Sequence, residues 1–376
     1  MAPRNRRTIY LDVLRENMKR IRAAVPRTAG VIAVVKADAY GHGAEAVSRA
    51  VLKAGADMLA VASVAEGTAL RKAGIRAPIL VLGPVTAGDV LEGVTSGLIQ
   101  TVCSREMVLL LGRAAEKAGR WAEAHLLFDT GMGRVGVRTE EEKTAMITAF
   151  AETRGAFLTG AMTHFSDADG EEEGLEYTEE QFRRFLQMTE DLPDGVMRHC
   201  ANSAAIHCRP EMALDAVRAG ISLYGYPPVE DNIGLSPCMR WTAKVSYVKD
   251  LPEGAYVSYG RTWQADGLKR IATVTCGYGD GYPRIAGGKA QVLIRGRRFS
   301  VVGRICMDQM MVDITGAEEI CPEDEVVLLG RSGDEVISAE DIARWSGTIS
   351  YEILLSAGSR VERVYDGEDG GEKTDE

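Results

Sequence analysis

Through its first two-thirds the chain alternates short, almost wholly apolar runs with longer stretches whose apolar residues recur every three or four positions. The apolar runs fall at 31–36, 58–63, 78–83, 99–103, 124–129, 158–164, 197–202 and 216–224. Each has the length of a strand buried on both faces, as in a parallel sheet. Between them, 44–54, 64–73, 105–118 and 179–191 carry helical spacing, and Gly55, Gly74 and Gly119 stand where helix C-caps would fall. Eight strands with intervening helices predict an α/β fold, an N-terminal (β/α)8 TIM barrel. An open doubly wound sheet has the same periodicity. The barrel is preferred because polar residues gather at the C-terminal ends of the strands, where barrels keep their active sites.

Beyond residue 232 the pattern changes. The segments 242–249, 270–275, 291–294, 301–305, 310–314 and 325–329 are short, often alternating, and separated by Gly, Pro and Asp turns. With one helix expected over 339–345, they predict a mostly β C-terminal domain. The expected division is 1–232 for the barrel, 233–365 for the β domain and 366–376 for a disordered acidic tail. The acidic run 167–176 reads as a solvated loop.

Composition adds exclusions. A length of 376 residues suits two domains, and 45% hydrophobic with 26% charged residues is the balance of a soluble globular protein. A net charge of -10 offers no basic face for nucleic acid. No apolar run approaches the roughly 18 residues of a membrane span. The seven cysteines are odd in number and scattered, without a CxxC pair. That fits reduced thiols in a cytoplasmic protein rather than a disulfide framework or a metal site.

The most informative string is Ala33-Val-Val-Lys36-Ala-Asp-Ala-Tyr40-Gly-His-Gly43. Taken alone, Lys36 is a solvated lysine ending an apolar strand, or a desolvated amine of lowered pKa able to form a Schiff base. Other residues are equally open singly. His164 would serve as a core histidine, Arg134 as a surface arginine, Asn202 and Ser203 as helix caps, and Tyr259 and Tyr282 as sheet packing.

Together, and in order, these strings resemble the alanine racemase family. The lysine string is followed by Asp129-Thr-Gly-Met-Gly-Arg134-Val-Gly, His199-Cys-Ala-Asn202-Ser203 and Val217-Arg218-Ala-Gly220-Ile221. Then come Val257-Ser-Tyr259-Gly-Arg, Gly277-Tyr-Gly-Asp-Gly-Tyr282-Pro-Arg and Gly303-Arg304-Ile-Cys-Met307-Asp308-Gln. The resemblance implies pyridoxal phosphate on Lys36, with Lys36 and Tyr259 as catalytic bases on opposite faces of an amino acid. A free phenol has a pKa near 10, and a positive charge relayed through His164 and Arg218 would favour its ionised form. Arg218 would face the pyridine nitrogen, supported by Asn202 unless that residue meets the cofactor's edge. Ser203, the backbone of Gly220 and Ile221, Tyr40 and Tyr351 would hold the phosphate. Arg134 would bind near the substrate carboxylate and the cofactor's phenolic oxygen, the Met307 amide would help hold the carboxylate, and Tyr282, Asp169, Arg304, Ile349 and Asp308 would line the entrance.

The resemblance further implies a homodimer with a shared active site, Tyr259 coming from the second subunit. It also implies a small amino acid as substrate and D-alanine for peptidoglycan as the purpose. Tyr351 and Tyr259 would leave room for little beyond a methyl group, which favours alanine over serine. A non-catalytic pyridoxal phosphate carrier would share the lysine string but lack a β domain, so residues 257–261 and 304–309 count against it. One departure stands out. Many members carry a carbamylated lysine where this chain has Leu127, so Arg134 must be oriented differently.

Overall fold

The structure is a computed structural model and describes residues 4–367. Residues 368–376 of the expected tail lie outside that range; Asp366 ends a strand. The chain divides into two units: Val13–Ser236, and the residues before Val13 together with those from Pro237 onward. The first strand, β1 (Arg6–Tyr10), pairs antiparallel with 239–242 and parallel with 362–366. It therefore belongs to the second unit, although the expected boundaries assign it to the barrel domain. Both partners are more than 200 residues away along the chain, a distance that no local pattern encodes.

In the first unit eight parallel strands close on themselves. They are β2 (Gly30–Val34), β3 (Met58–Val61), β4 (Ile79–Pro84), β5 (Ile99–Val102), β6 (Ala122–Leu127), β7 (Ala156–Met162), β8 (Met197–His199) and β9 (Ala216–Ala219). Closure is made by β2, which pairs with both β3 and β9. Helices outside the barrel start as the sequence dictates: Ser63, Ser104 and Thr139 each accept a backbone N–H three residues on.

All the expected runs except the third overshoot at their C-terminal ends, most of all the last, where strand β9 stops at Ala219 and a 3-10 turn over Ile221–Tyr224 follows. Residues beyond β2, β7 and β9 stay largely buried, so their apolar character mimics strand continuation. The acidic run also differs from expectation, because a helix spans Glu172–Thr189 with its acids in the first turn. Carboxylates there meet the positive end of the helix dipole.

The second unit has ten further strands: β10 (Met239–Leu251), β11 (Tyr256–Val257), β12 (Trp263–Gln264), β13 (Lys269–Val274), β14 (Gln291–Ile294), β15 (Arg297–Val302), β16 (Met310–Asp313), β17 (Glu325–Ser332), β18 (Glu335–Ile337) and β19 (Glu362–Asp366). Nine strands form one sheet in the order β18-β17-β14-β15-β16-β13-β10-β1-β19. Strand β10 runs for 13 residues and pairs with β1, β13 and β17. Val257, Ile271, Val302 and Met311 pack as a small core beneath the short β11–β12 ribbon. Among the described residues no helix is long and apolar enough to cross a membrane.

Candidate active site

Lys36 follows β2 and opens a turn of unusual handedness. Ala37, Asp38, Ala39 and Tyr40 have φ of 51°, 53°, 54° and 51°. Left-handed backbone costs an L-residue roughly 1–2 kcal/mol, so four in succession require outside support. Glu66 supplies part of it, accepting the Ala37 amide at 2.9 Å and the Ala62 amide at 2.7 Å. Asp38 accepts the Ala44 amide at 2.8 Å. Tyr224 donates its hydroxyl to the Val34 carbonyl at 2.9 Å and packs its ring against Tyr40 and His42. Strain of this kind collects where a side chain must be aimed. The Lys36 amine is half-buried. Burial lowers its pKa most, Arg134 and Arg218 lower it further, and Glu66 opposes them.

Arg218 lies on β9 and is buried. Its Nη1 donates to His199 Nδ1 at 2.8 Å and to the His199 carbonyl at 2.9 Å. Its Nη2 donates to the carbonyls of Thr163 at 2.7 Å and Cys200 at 2.9 Å, and to His164 Nδ1 at 3.3 Å. Only Nε has no partner among the described residues. Burial draws the guanidinium down to about 10, with Arg134 adding to the effect and Cys200 opposing it, so the charge persists at neutral pH. His164 is held down to about 3, first by burial and then by Arg218, Arg134 and Lys36. Arginine only donates, so Nδ1 of this neutral imidazole is the acceptor and Nε2 carries the proton.

Beside these groups lies a cup. Ser203 Oγ accepts the Gly220 amide at 2.9 Å and the Ser222 amide at 3.4 Å. A Cβ on Gly220 would sit 3.1 Å from the Tyr40 hydroxyl and 3.4 Å from Ser203 Oγ, so the missing side chain is what leaves the cup open. The Ile221 amide has no partner among the described residues. Hydroxyls and backbone amides converging on one spot suit an anion with several oxygens.

Of the two roles expected for Asn202, support of Arg218 is not met: its side-chain oxygen caps the helix Ser203–Cys208 by accepting the Ala205 amide at 3.0 Å. Arg218 is supported by Thr163, His164, His199 and Cys200 instead. Arg134, after β6, is exposed and has neither hydrogen bond nor ion pair among the described residues. Leu127 is buried and has no polar atom to offer it.

The remaining candidates belong to the second unit. Tyr259 is 68% exposed on a tight turn that follows Ser258, whose φ is 65°. Ser258 donates its hydroxyl to the Arg304 carbonyl at 2.5 Å, which braces the turn. Met307 is exposed, and its amide has no partner among the described residues. Tyr351 is half-buried on the helix Ser350–Ser356. Ile349, Arg304 and Asp308 are exposed here, as Asp169 is in the first unit.

Tyr282 must be withdrawn as a substrate contact. It is fully buried, packs edge-on to Trp241, and its hydroxyl has no partner among the described residues. The exposed tyrosine of that glycine-rich string is Tyr278, and only burial tells the two apart. Sequence reasoning also missed Glu66, His199 and His125, whose partners are fixed by the barrel rather than by neighbouring residues.

Lys36, Arg134, His164, Ser203 and Gly220 all follow the C-terminal ends of barrel strands, the end where such barrels carry out catalysis. A lysine prepared to lose its proton there, beside a cup for an oxyanion, marks an enzyme. Comparison with known proteins gives the family. Residues 9–228 match the family description "Alanine racemase, N-terminal domain" and residues 238–365 match "Alanine racemase, C-terminal domain". The alanine racemase of Desulforamulus reducens is 43% identical over 367 residues, covering 96% of this chain and 98% of the relative. The solved alanine racemase of Clostridium difficile 630 superposes with a TM-score of 0.91 at 38% identity, covering 97% of this chain and 96% of that one. The Bacillus anthracis alanine racemase, solved with bound L-Ala-P, gives a TM-score of 0.91 at 34% identity, with 99% and 97% covered. The chain belongs to the alanine racemase family, isomerases that depend on pyridoxal phosphate.

Proposed function

We propose that the protein interconverts L- and D-alanine with pyridoxal phosphate held on Lys36. Two residues move the proton at Cα: Lys36 on one face and Tyr259 of the partner subunit on the other. The observation that carries this reading is the pairing, at one end of the barrel, of a Lys36 amine of lowered pKa with an Arg218 guanidinium that has Nε to spare.

The residues fit the cofactor. Ser203, Tyr40, Gly220 and Ile221 form a cup for its phosphate, which Tyr351 completes, and Arg218 Nε is a donor for its ring nitrogen. When bound, the cofactor supplies an electron sink for the charge left at Cα as its proton departs. Arg218 can only donate, so it would leave the ring nitrogen without a proton and keep that sink weak. This confines the site to proton exchange and disfavours transamination. Lys36 gives up its own proton more readily than a solvated lysine, as a base at Cα must. His164, neutral with its proton on Nε2, donates to the Tyr259 oxygen and favours the phenolate. The positive charge behind this relay is that of Arg218, not of the imidazole. Arg134 and the Met307 amide bind the substrate carboxylate, and neither has a hydrogen-bond partner to surrender among the described residues. The Asn202 amide nitrogen, left over from helix capping, would meet the cofactor's edge.

The active site is shared across a cytoplasmic homodimer, and its product is D-alanine for peptidoglycan. Alanine is preferred because Tyr351 and Tyr259 crowd the substrate side chain. Serine is the substrate to test beside it, since one hydroxyl is a small difference for a pocket to reject. The test is to follow optical rotation of L-alanine and L-serine with the purified protein, Lys36→Ala and Tyr259→Phe. Loss of alanine rotation with wild type alone supports the reading. Cofactor binding without racemisation of either amino acid would overturn it in favour of a carrier.

A further inference from the structure

Behind Arg218 runs a second row of side chains that touches neither the cup nor Lys36. His199 Nδ1 accepts from Arg218 Nη1 at 2.8 Å, and His199 Nε2 lies 2.9 Å from His125 Nδ1. Arginine has no lone pair to offer, so His199 Nδ1 carries none of that bond's hydrogen and its single proton sits on Nε2. That proton is donated to His125 Nδ1, and His125 in turn keeps its proton on Nε2. The direction of both bonds is therefore set by the guanidinium. Burial, then the Arg218 charge, keeps His125 down to about 4 and His199 well below the usual imidazole range, so both remain neutral acceptors.

The barrel is built to house the far end of this row. Strand β6 has a register shift against β7 between Ala124 and His125, an irregularity of the kind that re-aims a side chain near an active site. The residue paired with His125 is Gly160, where a Cβ would fall 2.5 Å from the Cδ2 and Nε2 atoms of the His125 ring. A glycine inside a strand weakens it. Here the bare position is the space in which the imidazole lies.

We propose that His125 is a positioning residue for Arg218. By accepting the His199 Nε2 proton it fixes the imidazole against which the guanidinium is aligned, and so fixes where Arg218 Nε points. The proposal rests on the reading that Arg218 Nε serves the cofactor's ring nitrogen. Replacing His125 by leucine leaves a buried N–H on His199 unpaired and frees His199 to turn. Asparagine keeps an acceptor at the Nδ1 position. Gly160→Ala leaves the His125 chemistry intact but pushes its ring from its seat.

Three variants, His125→Leu, His125→Asn and Gly160→Ala, test this in the full-length protein as purified. Imidazole nitrogen NMR reads the His199 tautomer. Absorbance reads bound pyridoxal phosphate, and kcat and KM are measured on alanine. Wild type should show His199 protonated at Nε2. His125→Leu and Gly160→Ala should shift the absorbance of the bound cofactor. They should also lower kcat about ten- to a hundredfold with KM little changed. His125→Asn should restore both readouts to near wild type. A His199 protonated at Nδ1 in wild type would overturn the proposal. So would an unshifted spectrum with wild-type kcat in His125→Leu, or a His125→Asn as impaired as His125→Leu. A wild-type protein with the expected tautomer that fails to racemise alanine would instead overturn the functional reading alone.

Discussion

Gly220 shows how a residue can act by lacking atoms. Its Cβ would intrude between the Tyr40 hydroxyl and Ser203 Oγ, so Gly220→Ala should weaken pyridoxal phosphate binding by about tenfold, measured by fluorescence titration. Tyr282 offers the opposite check. Its hydroxyl is buried without a partner among the described residues, so Tyr282→Phe should keep racemase activity and leave stability unchanged or raised by up to about 1 kcal/mol in urea unfolding. Lys36, Arg218 and Ser203 were legible in the sequence because each sits in a specific string. Tyr278 and Tyr282 were not separable, because they share one glycine-rich string and differ only in burial. His199 heads one of those strings, but its role and that of His125 left no local mark, since their partners come from other strands.

Among the elements, the left-handed turn after β2 decides where Lys36 points. The apolar pattern revealed the strand but not its end at Val34, because the strained residues Ala39 and Tyr40 are buried like strand residues. Tyr224 anchors this turn through the Val34 carbonyl. Tyr224→Phe should cost about 1 kcal/mol in urea unfolding, with lowered kcat if the turn loosens; unchanged stability would mean that the bond contributes nothing. The eight-strand count was readable because buried parallel strands form continuous apolar runs. The membership of β1 in the second sheet was not, because five residues carry no sign of which distant strands they join.

For the whole molecule, the buried histidines set an acid limit. His125 and His164 titrate at about 4 and about 3 when folded, and both would titrate at 6.5 when unfolded. Below 6.5 the unfolded chain takes up protons that the folded chain refuses, so the unfolded state gains. Stability is therefore fully present above 6.5 and falls with decreasing pH, by about 1.4 kcal/mol per pH unit for each such histidine, down to the folded values. Urea unfolding at pH 7.5 and 5 checks this, and equal stabilities would contradict it. The proposed sharing of the site predicts that mixing and reassorting Lys36→Ala with Tyr259→Phe subunits restores about a quarter of wild-type activity, through hybrids with one intact site. The most direct measurement concerns the two faces of Cα. Tyr259→Phe would be incubated with L- and D-alanine in deuterium oxide, following Cα exchange and configuration together. Racemisation should be lost while Lys36 continues to exchange the proton of one enantiomer with its configuration retained. Racemisation at the wild-type rate, or exchange equal for both enantiomers, would contradict a mechanism with one base on each face.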